Sequence, residues 1–517
     1  MSKNIVLDAL IPREDFEVQG ETSGTTRNVA TIGVRDLEYD SFFFSALRKP
    51  DFQRETNEWD AKRIASLIDS FISGDLIPAV ILWRSAASYT FVIDGAHRLS
   101  ALSAWINNDF GDGEISKQFY DGVIPEEQVA ASEDTRKLVR KQLGLYSDYK
   151  LALKSPEKVE PHIAEKAKSL GALAIQVQWV EGDAKKAENS FFKINQQAAP
   201  IDKTELKLLT SRRKPAGIAT RAILRSGKGH KYWSSYEDSI QSTIQNIAKE
   251  INEIIFQPSL KSPIKTLDLP LGGKNFSSQG QSLILELVNK TNDVTANNNE
   301  NDDIDGKKTI SYLTKCLKVV RRLNSIHPSS LGLHPAIYFY SKDGRHKPAS
   351  FWAAIDFIQE LEKRNKFDWF TEERYNFEQF LMSHDYIIQQ VVRRYRSATA
   401  AYPYITQLYF TVIDLLHKKV TVDELPKKIS ENENFSFVTL NEGTIEDSFS
   451  KDFSREKKSE IFMKQALENA IKCRICNGLL HKNSITIDHI ERREEGGLGS
   501  VSNGQLAHPY CNSTYKN

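Results

Sequence analysis

Two pairs of potential metal ligands near the end of the chain constrain its C-terminal fold more than any other feature. Two residues separate Cys473 from Cys476, and the same spacing separates His508 from Cys511. Two such pairs supply the four ligands of a tetrahedral zinc site. A segment this short cannot fold on a hydrophobic core of its own, so the metal would hold it together. We therefore expect a structural zinc site formed by all four residues.

The composition is that of an ordinary folded protein. The length of 517 residues predicts two or three domains, and 40% of the residues are hydrophobic. Because the formal net charge is only +1, any attraction to nucleic acid must come from local basic patches. Three of the four cysteines lie in the C-terminal cluster, which favours metal binding over a disulfide framework.

The N-terminal sequence and the apolar stretches predict an intracellular protein. The N-terminal sequence lacks the unbroken apolar core of a signal peptide, and no later stretch approaches the roughly 18 apolar residues of a membrane span. We therefore expect a cytoplasmic location and no membrane partner. No residue pattern specifies an oligomeric state, and a homo-oligomer stays open.

Strand and helix patterns alternate after residue 37. An amphipathic helix pattern ends at Gly74, and the segments AVILW and YTFVID are typical of buried strands. Residues 95–98 follow the second strand and precede another helix pattern. Since backbone N–H groups at a helix N-terminus favour anions, this turn is a candidate phosphate or nucleotide site.

Changes in composition divide the chain into six segments. The stretch TNDVTANNNENDDIDGKK is too polar to form a packed structure, helix patterns follow it, and a second polar stretch precedes the cysteine cluster. We expect a poorly ordered lead-in (1–36), an α/β domain with a basic helical extension (37–290), a flexible linker (291–308), a helical domain (309–425), a connector (426–455) and a zinc-bearing domain (456–517).

Basic residues are concentrated between residues 212 and 231. Arg221 and Arg225 are four positions apart, so on a helix they face the same way, as contact with a phosphate backbone requires. Charge runs are also commonly solvated faces. In a nearly neutral chain we favour DNA contact, through Arg212, Arg213, Lys214, Arg221 and Arg225. Arg393, Arg394 and Arg396 form a weaker candidate of the same kind.

The span closed by the zinc ligands contains a second set of polar residues. A strand pattern ends in Asp488-His489, Asn503 follows a glycine-rich loop, and Asn512 comes directly after Cys511. An Asp-His pair with downstream Asn residues is what a metal-assisted phosphodiesterase needs. The arrangement resembles the His-Asn-His (HNH) endonuclease family, which implies a ββα-metal fold over the last part of the chain.

The resemblance implies a role for each of these residues. His489 would be the general base, Asp488 and Asn512 would bind a catalytic Mg²⁺ or Mn²⁺ ion, and Asn503 would brace the loop and orient the imidazole. The sequence departs from many family members in having Asn at the last motif position. The alternative is a structural zinc ribbon without activity, in which Asp488 caps a turn and His489 packs in the interior.

Three separated segments resemble the ParB-related N-terminal domain of GmrSD-type restriction proteins. They are residues 50–54, 92–99 and 192–195, and the turn spelled Asp-Gly-Ala-His-Arg is also similar to the Asp-Gly-Gln-His-Arg domains of DndB-like proteins. The resemblance implies a pocket for a nucleoside triphosphate, with NTPase activity tied to nuclease control. Its residues would be Asp94, Gly95, His97, Arg98, Gln53, Arg54 and Asn195.

One residue of the turn and one alternative interpretation qualify this expectation. Ala96 stands where the family usually has Gln, which removes one amide from the pocket. The alternative interpretation is structural: Asp94 and Arg98 would form an internal ion pair, and Gln53 and Arg54 would cap a helix.

Together the patterns predict an α+β multidomain protein. It would contain a ParB-like α/β N-terminal domain, a helical middle and a C-terminal zinc-stapled ββα-metal nuclease. We expect a nucleotide-regulated, metal-dependent DNA endonuclease of prokaryotic anti-phage defence or modification-dependent restriction, with phage or modified DNA as its partner. A non-catalytic DndB-like DNA-binding regulator and a toxin-like RNase remain the alternatives.

Overall fold

Two compact units make up the protein. The computed structural model describes residues 5–14, 28–50, 59–119, 124, 126–198, 203–228, 233–274, 278–295, 300–440 and 452–515. Contacts between Cα atoms group residues 1–212 with 228–232 in the first unit, and residues 213–227 with 233–517 in the second. Within the described ranges, no helix has the length and apolarity needed to span a membrane.

A six-stranded mixed sheet forms the frame of the first unit. Its strands are β1 (Arg13–Glu14), β2 (Thr31–Gly33), β3 (Leu47–Pro50), β4 (Val80–Arg84), β5 (Thr90–Asp94) and β6 (Ala174–Val180). The strand order is β1-β3-β5-β4-β6-β2. β5 runs antiparallel to β4 and parallel to β3, while β4 and β6 are parallel. The two strands predicted on either side of residue 85 are therefore neighbours in the sheet.

Nine helices accompany this sheet in the described part of the first unit. They are α1 (Phe42–Ala46), α2 (Ala61–Ser73), α3 (Ala96–Ile106), α4 (Glu114–Phe119), α5 (Glu126–Leu143), α6 (Tyr146–Ala152), α7 (Pro161–Leu170), α8 (Ala184–Ala198) and α9 (Lys203–Thr210). The Asp60 side chain caps α2 by accepting a hydrogen bond from Arg63 N at 2.9 Å. α2 ends at Gly74, which adopts a φ of +74°, as the sequence predicts.

Residues 5–14 belong to the core of the first unit. Ile5, Leu7, Leu10 and Ile11 are buried, and Lys49 Nζ donates a hydrogen bond of 2.8 Å to the buried Asp8 carboxylate. The expectation of a poorly ordered lead-in was wrong for these residues. The short apolar run IVLDALI was masked by the polar sequence that follows it, although burying such a run is enough to anchor a chain end.

Helices dominate the second unit. They are α10 (Pro215–Leu224), α11 (Asp238–Phe256), α12 (Ser278–Thr291), α13 (Lys307–Leu323), α14 (Pro335–Tyr338), α15 (Pro348–Arg364), α16 (Phe367–Ser383), α17 (Asp385–Tyr395), α18 (Ala398–His417), α19 (Leu425–Ser430) and α20 (Arg455–Glu468). α10 packs against α11, α12 and α13, and α15 packs against α18. Aromatic rings fill the space between α15, α16 and α18, with Phe357 in contact with Phe370, Phe377 and Phe410.

The described part of the expected linker at 291–308 is held in place. Thr291 and Asn292 are buried at the end of α12. The carboxylate of Asp303 accepts hydrogen bonds from Gly306 N at 3.1 Å and Thr309 N at 2.7 Å, and therefore caps the first turn of α13. Flexibility was the wrong expectation for these residues, because a polar composition does not distinguish a capping loop from a linker.

A hairpin lies near the end of the chain. β7 (Thr486–His489) pairs antiparallel with β8 (Gly504–Ala507), so that Asp488 lies opposite Gln505 and His489 opposite Gly504. A single π-helical turn follows at Cys511–Tyr515. Two strands and a following helical turn are the elements expected of the ββα-metal unit. The ParB-like fold of the first unit and the finer segment boundaries stay predictions.

Candidate functional site

Four potential metal ligands converge beside the C-terminal hairpin. The ligand atoms of Cys473, Cys476, His508 and Cys511 all lie within 4.8 Å of one another. Three of the residues are almost completely buried, and Cys476 is 9% exposed. Three sulfurs and one imidazole at this separation fit a closed tetrahedral zinc site.

Local backbone geometry orients these ligands. Cys473 N donates to Gly478 O at 2.8 Å, and Asn477, with a φ of +56°, closes the turn that carries the first ligand pair. The Nε2 atom of His508 lies 3.1 Å from Leu479 O, whereas its Nδ1 atom lies 3.4 Å from Cys476 Sγ. Donation from Nε2 to a carbonyl leaves Nδ1 as the metal-binding nitrogen. Burial lowers the pKa of His508 and keeps the imidazole in its neutral, ligating form.

A buried ion pair on α16 supports the turn between the first two ligands. Arg374 Nε donates to Glu378 at 2.8 Å, and the other carboxylate oxygen of Glu378 accepts a hydrogen bond of 2.7 Å from Leu479 N. A Cβ atom at Gly478 would lie only 2.6 Å from Arg374 Nε, so the guanidinium packs directly against the turn. This pair was not predicted from the sequence. An Arg and a Glu four positions apart on an aromatic-rich helix are the signal that could have indicated it.

The loop at residues 325–332, here called the platform loop, holds the remaining part of the zinc-bearing segment. Tyr510 N donates to Ser330 O at 3.0 Å, Ser484 Oγ donates to Ser325 O at 2.9 Å, and Ser513 Oγ donates to Pro328 O at 2.8 Å. Gly332 approaches His508 so closely that an added Cβ would lie 2.6 Å from the imidazole ring. The zinc-bearing segment is thus packed on the helices of its own unit.

The two motif residues at the end of β7 differ in their surroundings. Asp488 is buried, and one of its carboxylate oxygens accepts a hydrogen bond of 2.7 Å from Gln505 on the opposite strand. His489 is half-buried, with its Nε2 atom 3.5 Å from Arg493 Nε. Gln505 was also missed, since only the register of the hairpin brings it beside Asp488. A hydrogen bond of this kind fixes the orientation of a metal-binding carboxylate.

The two asparagines contact the backbone around this strand. Asn503 Oδ1 accepts from Glu491 N at 2.8 Å, and Asn503 Nδ2 donates to Glu491 O at 3.1 Å and Leu498 O at 2.9 Å. Asn512 Nδ2 lies 3.3 Å from Ile487 O, directly before Asp488. The structure therefore brings Asp488, Asn503 and Asn512 to one hairpin and the turn that follows it. Their metal-binding and catalytic roles stay predictions.

The predicted strand-to-helix turn of the first unit lies between β5 and α3. Asp94 and Arg98 form an ion pair of 2.7 Å, and Arg98 Nη2 also donates to Ala79 O at 3.2 Å. Gly95 has a φ of +98°, and a Cβ there would lie 2.6 Å from Val80 Cγ1, so the turn requires glycine. This geometry is that of the internal ion pair, the structural alternative considered from the sequence.

The structure describes only some of the other residues assigned to the nucleotide pocket. The His97 ring stacks on Trp59, with centroids 5.7 Å apart and an interplanar angle of 25°. Asn195 lies on α8, but its side chain is outside the described residues, as are Gln53 and Arg54. The turn therefore brings together Asp94, Gly95, His97 and Arg98.

The predicted basic stretch is less exposed than the sequence suggests. Arg212 forms an ion pair with Glu188 at 2.8 Å, and Arg213 and Lys214 precede α10. α10 is buried on nearly all sides because its sequence, PAGIATRAIL, is apolar around the whole helix. Arg221 and Arg225 are consequently half-buried, and their contact with DNA stays a prediction.

Comparison with known protein families identifies two regions of the chain. The family model described as GmrSD restriction endonuclease, N-terminal domain, matches residues 37–210. The family model described as HNH endonuclease matches residues 473–517, which contain the four potential metal ligands and the hairpin. Neither the curated proteins nor the solved structures gave a significant match. The chain thus carries a GmrSD-type N-terminal domain and a C-terminal HNH endonuclease domain, the architecture that its motifs predicted.

Proposed function

We propose that the protein is a metal-dependent DNA endonuclease of the restriction type, whose HNH domain hydrolyses phosphodiester bonds under the control of the N-terminal domain. One observation carries the proposal. Asp488, His489 and Asn512 lie on a hairpin and following turn that four converging zinc ligands enclose, within the segment that matches HNH endonucleases. A structural zinc ribbon without activity would not require these three polar residues.

Each polar residue of the hairpin has a task in the proposed reaction. His489 accepts the proton of the attacking water, which its half-buried imidazole is placed to do at the end of β7. Asp488, oriented by Gln505, and Asn512 bind Mg²⁺ or Mn²⁺. When bound, this ion neutralises charge on the scissile phosphate and stabilises the leaving oxygen. Asn503 holds the loop after β7 in place through its three backbone hydrogen bonds.

The zinc site has a structural task in the same proposal. Four protein ligands close it, so no position is open for a substrate or a catalytic water. It fixes the two ends of the hairpin segment relative to each other. In this proposal the residues of the hairpin catalyse the cleavage, and the cysteine cluster stabilises the fold of the segment.

We propose that the N-terminal domain binds a nucleoside triphosphate and controls cleavage of phage or modified DNA in the cytoplasm. The turn at residues 94–98 supports this idea, because an arginine lies at the N-terminus of α3, where a phosphate is also favoured. The ion pair between Asp94 and Arg98 means that a phosphate would have to replace Asp94 as the partner of the guanidinium. Phosphate binding and the Asp94–Arg98 ion pair therefore compete for the same guanidinium.

A nucleotide titration tests the regulatory part. Asp94→Ala frees Arg98 from its ion pair and should change the affinity for ATP or GTP at least several-fold, whereas Asp75→Ala, at an exposed position after α2, should not. Equal affinities of the wild type and Asp94→Ala would reduce the turn to a structural role.

A substrate comparison tests the nuclease part. The full chain is incubated with supercoiled plasmid, phage DNA carrying modified bases and structured RNA, each with Mg²⁺, with Mn²⁺ or without a divalent ion. We expect DNA cleavage that requires the ion. Cleavage of RNA alone would instead indicate a toxin-like RNase, and DNA binding without cleavage would indicate a DndB-like regulator.

A further inference from the structure

The junction of α17 and α18 carries an exposed basic surface, here called the arginine turn (residues 393–397). Arg393, Arg394 and Arg396 are all exposed, and in the described ranges no carboxylate forms an ion pair with them. The sequence around them is free of acids, with no Asp or Glu between Asp385 and Asp414. In a chain with a net charge of only +1, three arginines within four positions are a local concentration of positive charge.

Aromatic residues hold the arginine turn in one conformation. The Tyr395 and Tyr404 rings stack in parallel, with centroids 3.7 Å apart. The Arg394 guanidinium lies 5.8 Å from the centroid of the Phe437 ring, and Ser397 caps α18 by accepting a hydrogen bond from Ala400 N at 3.2 Å. The backbone that carries the positive charges is therefore packed against aromatic rings and a helix cap.

Arg396 has a backbone conformation that is uncommon for an arginine. Arg396 has a φ of +63°, in the left-handed region that favours glycine. Glycine there would relieve backbone strain, and strained non-glycine residues concentrate at functional sites. Arg393 and Arg394 lie in the last turn of α17, where cations also complement the helix dipole. That simpler explanation does not cover Arg396, which lies beyond the helix.

We infer that the arginine turn binds the phosphate backbone of the DNA substrate. Exposed arginines, together with tyrosine and hydroxyl side chains, are groups that contact phosphates in protein–DNA interfaces. The inference rests on the proposed DNA-cleaving function, to which it adds a second contact. From the sequence, the arginine turn was the weaker of the two candidates for DNA contact. The inference makes it the stronger one, because Arg221 and Arg225 are half-buried and the arginine turn is exposed.

From its position, we expect the arginine turn to contact DNA that flanks the cleavage site. At the far end of α18, His417 stacks on Trp369, next to Asp368, which accepts a hydrogen bond from Tyr510 of the HNH segment. α18 has 20 residues. A helix of that length spans about 30 Å, the length of roughly nine base pairs of duplex. The arginine turn therefore contacts DNA away from the scissile bond.

Binding measured without cleavage tests this inference. The measurements use the full chain with His489→Ala and a DNA duplex longer than roughly nine base pairs. Fluorescence anisotropy gives the affinity over a range of salt concentrations. Replacing Arg393, Arg394 and Arg396 together by Gln should lower the affinity at least tenfold. It should also reduce the slope of log affinity against log salt by about two to three, roughly 0.9 for each lost phosphate contact. The matched control replaces the exposed Lys154, Lys158 and Lys168 of the first unit by Gln and should leave the slope unchanged.

A single substitution separates binding from folding. Arg396→Gly should raise Tm, because it relieves the left-handed strain, and should still weaken DNA binding. An affinity and slope of the arginine variants equal to those of the lysine control would overturn the inference, as would binding through this turn that is limited to RNA. If the wild type cleaves no DNA but binds it through this turn, the proposed function fails and the inference stands.

Discussion

The Glu378 carboxylate accepts a hydrogen bond of 2.7 Å from the backbone N–H of Leu479, three residues after the zinc ligand Cys476. Glu378 is itself paired with Arg374, whose Nη2 donates to Gly332 O at 3.0 Å. Both side chains are buried. The fold of the HNH segment is therefore coupled to a helix about a hundred residues earlier in the chain, and its stability should depend on that helix.

Arg374→Met should destabilise the second unit by about 3–5 kcal/mol, because it leaves the Glu378 carboxylate buried without its cation. The free energy of unfolding in urea measures this loss, and zinc content should fall with it. The control is Lys363→Met, which breaks the more exposed ion pair with Glu360 and should cost less than about 1 kcal/mol. Equal losses in the two variants would show that Arg374 does not support the zinc-bearing segment.

Cys476→Ser should abolish zinc binding and expose the segment around the hairpin to proteolysis, because this segment depends on the metal for its fold. Metal analysis of the purified protein and limited proteolysis are the measurements. Cys316→Ala is the matched control: this thiol is buried in α13, away from the four ligands, so zinc content should stay at the wild-type level. Full zinc occupancy of Cys476→Ser would contradict the four-ligand site.

Asn503→Ala should reduce kcat for DNA cleavage on the order of a hundredfold by releasing the loop after β7 from three hydrogen bonds and so misplacing the catalytic residues. Zinc content should not change, since Asn503 is not a zinc ligand. The neighbouring Ser502→Ala leaves these bonds intact and serves as the control. An unchanged kcat in Asn503→Ala would mean that the loop does not position the reacting groups.

Acid should destabilise the fold through His481. Burial lowers the pKa of His481 to about 4, below its value of about 6.5 in an unfolded chain. The unfolded chain therefore takes up a proton that the folded chain does not, and the stability contribution, fully present above about pH 6.5, decreases as pH falls towards 4. The loss at pH 5 should be about 2 kcal/mol.

Urea unfolding at neutral and acidic pH measures this effect. His481→Gln, which keeps a donor for Asn324, should weaken the pH dependence, whereas His162→Gln at an exposed position should preserve it. A pH dependence that is the same in His481→Gln and the wild type would contradict the assignment.

Local sequence spacing was sufficient to predict the four clustered metal-ligand candidates and the strand β7. Cys473 and Cys476 are close in sequence, and the alternation before Asp488 is that of a strand, so these features depend on neighbouring residues alone. Gln505 could not be found in this way, because it reaches Asp488 only through the pairing of two strands. Arg374 and Glu378 could not either, since they meet the zinc-bearing turn across long stretches of chain.

Predictions from the average composition of a stretch of sequence failed in two places. Residues 5–11 are apolar but lie in a polar region, and Asp303 caps a helix within a stretch that reads as a linker. In each case the outcome depended on which side chains had a packing or hydrogen-bonding partner. Composition does not carry that information.

Plasmid cleavage by His489→Ala tests the central claim most directly. The wild type and the variant are compared with Mg²⁺ at equal zinc content, with His162→Ala, an exposed histidine of the first unit, as the matched control. We predict that His489→Ala loses DNA cleavage by a factor of about 10² or more, while His162→Ala retains it. Cleavage by His489→Ala at the wild-type rate would contradict the assignment of this hairpin as the nuclease site.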